Sequence, residues 1–236
     1  MSAIPHHHRE DHKQHSLMFK DEPSHHHHHH HGAPGQGSTT LFAPANLAWT
    51  RIPLRIKLYL FSPFGQRSLM YLLALHSLPN TIFYADFVHE AKGGKLAPAK
   101  QYTVDAASIR SATGDLTVAG KGNVTEYEFA TACPKLHFNH TSEAWTESKM
   151  EFETVTVKVF RYFLLPGNKG PLQTRVQVQD VPVLIQDIAT ANGAIHQVER
   201  FVLPRDLPHR DSGLWAFVSH QAEKAGFGAM DLAELK

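Results

Sequence analysis

Asn192-Gly193-Ala194-Ile195-His196-Gln197-Val198-Glu199-Arg200-Phe201-Val202-Leu203-Pro204 is the stretch on which the fold turns. Asn192 and Gly193 both tolerate the positive φ of tight turns, so a chain reversal is expected there. The residues that follow are rich in β-branched and aromatic side chains, and Pro204 lacks the N–H that would continue a ladder. They read as one strand of about ten residues. Its alternation is imperfect: Ile195, Phe201 and Leu203 share one parity, Ala194, Val198 and Val202 the other. Such a strand is covered on both faces or shifted by a bulge near Glu199 and Arg200. It is expected to be the last strand of a packed domain.

A second stretch answers it: Thr40-Leu41-Phe42-Ala43-Pro44-Ala45-Asn46-Leu47-Ala48-Trp49. Residues 40–43 suit a short buried strand that Pro44 ends, and Asn46 suits the N-cap of a helical turn carrying Leu47, Ala48 and Trp49. Thr40, Phe42, Pro44 and Asn46 here, with Asn192, Gly193, Ile195 and His196 in the other stretch, resemble the two signatures of the fasciclin (FAS1) domain family. Order, direction and placement at the two ends of one domain match as well. The helical section that follows, residues 60–81, resembles that of fungal single-domain fasciclin-like proteins. The resemblance implies an α+β fold, a FAS1-type β-sandwich or wedge with helices packed against it after the first strand. It places the domain at residues 39–205, with residues 92–150 divergent or inserted and 206–236 a C-terminal extension.

The chain has 236 residues and a net charge of +1 with histidines neutral. That length suits one domain of ordinary size plus an arm. The charge balance gives no field that would draw nucleic acid or an acidic surface to the molecule as a whole. Cys133 is the single cysteine, which excludes an internal disulfide framework and a multi-cysteine zinc site; it reads as a small apolar core residue. No segment has the ~18 uninterrupted apolar residues of a membrane span.

Residues 1–38 hold twelve of the nineteen histidines, including the run at 25–31, and close on Gly-Ala-Pro-Gly-Gln-Gly-Ser. Their few, unpatterned apolar residues predict a disordered His-rich arm, because burial cannot offset the entropy of ordering the backbone. Seven consecutive imidazoles bind Zn, Ni or Cu ions in a test tube; low-complexity drift or a tag is the preferred account of the run over a dedicated metal function. Met1-Ser2-Ala3-Ile4-Pro5 opens no apolar signal core, whereas the family is mostly secreted, surface-anchored or held in secretory organelles. An incomplete or processed start reconciles the two. The family also opens with one or two helices before its first signature, and residues 1–38 supply none.

Between the signatures, helices are expected over residues 53–60, with Leu54, Leu58 and Phe61 as the apolar stripe, and after Ser62-Pro63, with Leu69, Leu72, Leu73 and His76. Pro79-Asn80 stops the second. Residues 81–89 read as a strand. Residues 92–150 stay unassigned apart from β-like pieces such as 116–118. Strand returns over 150–165 and 174–184, divided by a turn at 166–171, and residues 186–191 read as a short helical turn. Residues 214–224 form an amphipathic helix with Trp215, Val218 and Ala222 on its apolar side.

For chemistry the chain offers little. Nucleophile elbows, phosphate-cradling Gly-rich loops, His-Glu-x-x-His and paired cysteines are absent, and no cofactor is implied. His137-x-x-His140 has metal-ligand spacing but sits among loop residues, so incidental placement is preferred and no metal site is assigned. His76 and His196 could form an acid–base pair; a buried imidazole bonded to backbone is the better reading, since neither brings a carboxylate or nucleophile with it. The family resemblance agrees, as FAS1 domains are not known as enzymes.

Adhesion motifs are the stronger candidates. In animal FAS1 domains an Asp-Ile pair before the last strand and a Tyr-His pair on the long helix are implicated in integrin binding. Asp187-Ile188 matches the first; at the second His76 matches, but Leu75 replaces the tyrosine. Asn123-Val-Thr and Asn139-His-Thr are N-glycosylation sequons. The expectation is a non-catalytic interaction or adhesion module of the cell surface, wall, matrix or secretory pathway, or vacuole, gripping protein or carbohydrate rather than nucleic acid. The alternative is a His-rich metal-binding protein that carries a FAS1 domain.

Overall fold

The computed structural model describes residues 37–90, 99–167, 169–204 and 214–228, all within the unit Gly32–Lys236. In chain order they form β1 (Thr39–Pro44), α1 (Asn46–Arg51), α2 (Leu54–Leu60), α3 (Gln66–Leu75), β2 (Ser77–Pro79), β3 (Thr81–Tyr84) and β4 (Phe87–Glu90). There follow β5 (Lys100–Val104), α4 (Ala106–Thr113), β6 (Gly122–Asn139), β7 (Ala144–Leu165), β8 (Lys169–Val178), β9 (Val181–Thr190), β10 (Gly193–Val198) and α5 (Leu214–Lys224). The fold is α+β, as expected.

Eight strands run in the order β2-β1-β10-β9-β8-β7-β6-β5, with β3–β4 a separate hairpin. The two signature stretches lie side by side: β1 pairs with β10 in parallel, from Thr39 opposite Gly193 to Pro44 opposite Val198. Between β8 and β9 the described ladder consists of Gln177–Pro182 and Val178–Val181. The sheet is therefore hinged at that turn into two halves that share one core. Phe83 of β3 lies between them, in ring contact with Phe42 and His196 on one side and Tyr127 and Phe129 on the other. Val155, Val157 and Val159 of β7 are fully buried, the outcome their alternation predicts. A smaller cluster on the outer face of β6–β7, built from Ile109, Val118, Val124, Phe160 and Tyr162, is covered by α4. Helix α5 docks through Leu214, Trp215, Phe217 and Val218, and Phe217 meets Tyr71 of α3 edge-on.

Several expectations need correcting. The last strand ends at Val198, and its register shifts lie between Ile195 and Val198, earlier than Glu199-Arg200. Gly193 is needed for room rather than for a positive φ: a Cβ there would run into the Thr39 carbonyl oxygen. Asn46 is the first residue of α1, and the cap position is Ala45, without a side-chain cap. The stripe expected on α2 faces outward; Ile56, Tyr59 and Leu60 face the core. On α3 the buried face is Ser68, Tyr71, Leu72 and Leu75, one position round from the stripe expected. Ser62 caps the preceding turn, accepting the Gly65 N–H.

Residues 81–89 are not one strand but the β3–β4 hairpin. No Gly or Pro marks its Ala85-Asp86 turn, which distant partners hold: the Asp187 carboxylate accepts the Ala85 N–H at 2.8 Å and Arg161 donates to the Ala85 carbonyl at 2.6 Å. Residues 174–184 also break in two, at Gln179-Asp180, both at positive φ. Residues 186–191 are the end of β9 and the turn after it, not a helical turn. Leu116 is exposed in a turn rather than a strand. Of the expected arm, residues 1–36, including the histidine run, lie outside the described residues; Ser38 is buried, with its carbonyl accepting from Asn80. Residues 91–98, 205–213 and 229–236 also lie outside the description.

Candidate functional site

Thr40 and Phe42 of the first signature point inward. The Thr40 hydroxyl donates to the Thr81 carbonyl at 2.9 Å and accepts the Phe83 N–H at 2.8 Å, stitching β1 to β3. Beside them stand the two histidines. His196 is fully buried; its Nε2 lies 2.8 Å from the Phe83 carbonyl and its Nδ1 accepts the Asp187 N–H at 3.2 Å. A carbonyl only accepts, so the proton sits on Nε2 and the ring is neutral. His76, at the end of α3, is the mirror case. Its Nδ1 donates to the Leu72 carbonyl at 2.7 Å and its Nε2 accepts the Val202 N–H at 2.9 Å.

Each imidazole thus spans two backbone groups from different elements. Burial pushes the His76 pKa down to about 4 against the smaller pull of the Leu72 carbonyl. Burial likewise lowers that of His196, opposed by the Phe83 carbonyl and by Asp187. Protonating His76 would aim a second N–H at the Val202 donor. The acid–base pair is not a site: both rings are sealed in packing, and His76 stacks edge-on against Phe201, not against a cleft.

The Asp187-Ile188 pair divides. Asp187 sits at φ +62 with its carboxylate engaged by Ala85, while Ile188 is exposed beside Leu184 and Ile185 on β9. His76 and Leu75, the other adhesion position, are both fully buried and present nothing to a partner. Asn123 is exposed on β6 and accepts from Thr103; Asn139 is exposed at the β6–β7 tip, where its side chain accepts the Thr141 and Ser142 N–H groups. His137 and His140 flank that tip. Among the described residues no three His, Cys, Asp or Glu side chains group as a metal-ligand set. His140 lines an open cleft with Phe138, Glu143, His220, Glu223 and Lys224. Cys133 is buried, its thiol pushed up to about 12 by desolvation first and nearby carboxylates second.

Two arrangements escaped the sequence reading. Arg67 and Tyr71 of α3 both engage Glu147 of β7, the arginine at 2.6 Å, and those two hydrogen bonds hold the Glu147 carboxyl below its usual range. Spacing along one helix cannot reveal a partner eighty residues away. The second is the outward face of α2 and the turn after it, where Leu54, Leu58, Phe61 and Phe64 are 57–70% exposed. Its signal was the residue spacing on α2, read with the opposite facing. Among the described residues no helix is long and apolar enough to cross a membrane.

Comparison with known proteins adds one family. The model of the fasciclin domain matches residues 30–132, which include the first signature and helices α1–α3 and stop short of the second signature. Among solved structures, a FAS1 domain pair from the insect cell adhesion molecule fasciclin I is similar at 13% identity with a TM-score of 0.30, covering 70% of this chain and 36% of that one. No curated protein matches.

Proposed function

We propose, from the fasciclin-domain match over residues 30–132, that the chain is a non-catalytic interaction module of the FAS1 type. It grips protein or carbohydrate at a cell surface, wall, matrix or secretory compartment. The observation that supports this most is the state of the two core histidines. The side chains best suited to proton transfer are neutral, buried and engaged by backbone at both nitrogens, while apolar residues that do no work in the core stand exposed. On β9, Leu184, Ile185 and Ile188 form such a group next to Asp187, whose role is to fix the turn of the neighbouring hairpin. In this reading Ile188 makes the contact and Asp187 sets the surface. Glycans at Asn123 and Asn139 would sit on exposed positions away from β9.

Attachment of cells to wells coated with the full chain tests it. Attachment above an albumin background should fall about tenfold in the Ile185→Ser/Ile188→Ser variant, as expected when anchors of a contact are removed. Treating the cells with glycosidase or protease tells a carbohydrate ligand from a protein one. Equal attachment by the variant would contradict the assignment of the surface.

The run at 25–31 supports a second reading, metal capture by the arm with the domain as carrier. Zinc titration of the full chain against one starting at Gly32 separates the two. Equal affinity would remove the arm from consideration.

A further inference from the structure

We propose that the outward face of α2 and the turn after it is a docking surface for anionic lipid bilayers. From Asn46 to His76 there is no Asp or Glu, whereas Arg51, Arg55, Lys57 and Arg67 are all present. The apolar side chains are equally one-sided. Leu54, Leu58 and Phe61 recur at i, i+4 and i+7 on α2, which places them on one side of that helix. They face away from Ile56, Tyr59 and Leu60, so none of them serves the core. Phe64 follows in the next turn, 68% exposed. Trp49 of α1, half-buried against Phe201, borders this side with its ring 5.8 Å from that of Phe61.

Large apolar and aromatic side chains flanked by cations with long stems are what an interfacial helix presents to a bilayer: the apolar tips enter the acyl boundary while arginine and lysine stay among the phosphates. Arg55 and Lys57 lie on α2 itself, on either side of the apolar stripe, and the Lys57 ammonium also donates to the Thr50 carbonyl at 3.2 Å. Arg51 and Arg67 stand at the rim, where each has an acidic neighbour, Glu199 at 3.5 Å and Glu147 at 2.6 Å. Four cations and no carboxylate within residues 46–76 give this stretch the charge that complements an anionic headgroup surface. The inference stands on this face alone and does not depend on the family reading.

Co-sedimentation of the full chain with vesicles tests it, at about pH 8 with a chelator, so that the histidine arm is neutral and metal-free. Vesicles of phosphatidylcholine alone are compared with vesicles containing phosphatidylserine. Binding should require the anionic lipid and weaken as salt rises. Leu54→Ser/Leu58→Ser/Phe61→Ser should weaken it by about a hundredfold, and Arg55→Gln/Lys57→Gln by about thirtyfold. All five positions lie on or beside the exposed side, so unchanged far-ultraviolet circular dichroism and urea midpoint show that each variant folds. No binding by the parent chain overturns the proposal, as does binding that both variants retain. Self-association that the triple variant abolishes, without vesicle binding, would assign the face to a second copy instead.

Discussion

The β1–β10 seam and the outward face of α2 are both runs of apolar residues with a few polar ones among them, yet one is sealed and the other open. At the seam the buried Thr40, His196 and His76 all have backbone partners: Thr40 bonds Thr81 and Phe83, His196 bonds Phe83 and Asp187, and His76 bonds Leu72 and Val202. Burial there carries no unsatisfied group, and Phe42 is left with 0% exposure. On α2 the buried face carries Tyr59, whose hydroxyl meets Ser68 at 2.6 Å, together with Ile56 and Leu60. Leu54, Leu58 and Phe61 are left to solvent. Hydrophobicity selects candidates for the core, and hydrogen-bond partners decide among them.

That contrast is broken or sharpened by four experiments, each read from the urea midpoint of the full chain. Phe42→Ala removes a ring from the closed seam and should cost about 4 kcal/mol; a cost near that of a surface change would mean the seam is not the core. Acidification comes next. The unfolded chain takes up the His76 proton near 6.5 while the folded chain resists until about 4. Stability is therefore fully present above about 6.5 and declines as pH falls through that window, by about 3 kcal/mol from this ring. His196, also lowered by burial, adds in the same direction. A flat profile between those limits would contradict the assignment of neutral, engaged rings.

Asp187→Ala should cost about 1–2 kcal/mol, because the Ala85 N–H loses its acceptor, and Asp187→Asn should restore most of it. Smallest of all, Leu58→Ser should move stability by less than about 0.5 kcal/mol. A large loss there would place the open face in the core and remove the difference between the regions.

Much of the fold was legible where local chemistry and tertiary context agree. The two signature stretches announce adjacent strands, the valines of β7 alternate into the core, and α5 spans the residues expected and buries Trp215, Val218 and Ala222, though Leu214, Ala216 and Phe217 are buried with them. What was not legible depends on partners far along the chain. The Ala85-Asp86 turn carries no Gly or Pro, and Asp187 and Arg161 hold it. Residues 186–190, with a helical look by propensity, are extended because β10 pairs with them. On α2, apolar residues on every side leave periodicity without a phase. At the candidate sites, residue types were visible but their facing was not: Asp187 turns inward to the hairpin while Ile188 stays out.

Nitrogen chemical shifts of the histidine rings, recorded on the full chain at about pH 6 where an ordinary imidazole is largely protonated, test the central claim most directly. The account predicts two neutral rings of opposite tautomer, His76 protonated at Nδ1 and His196 at Nε2, neither exchanging rapidly with water. A protonated ring at either position, titrating near the ordinary value, would contradict it.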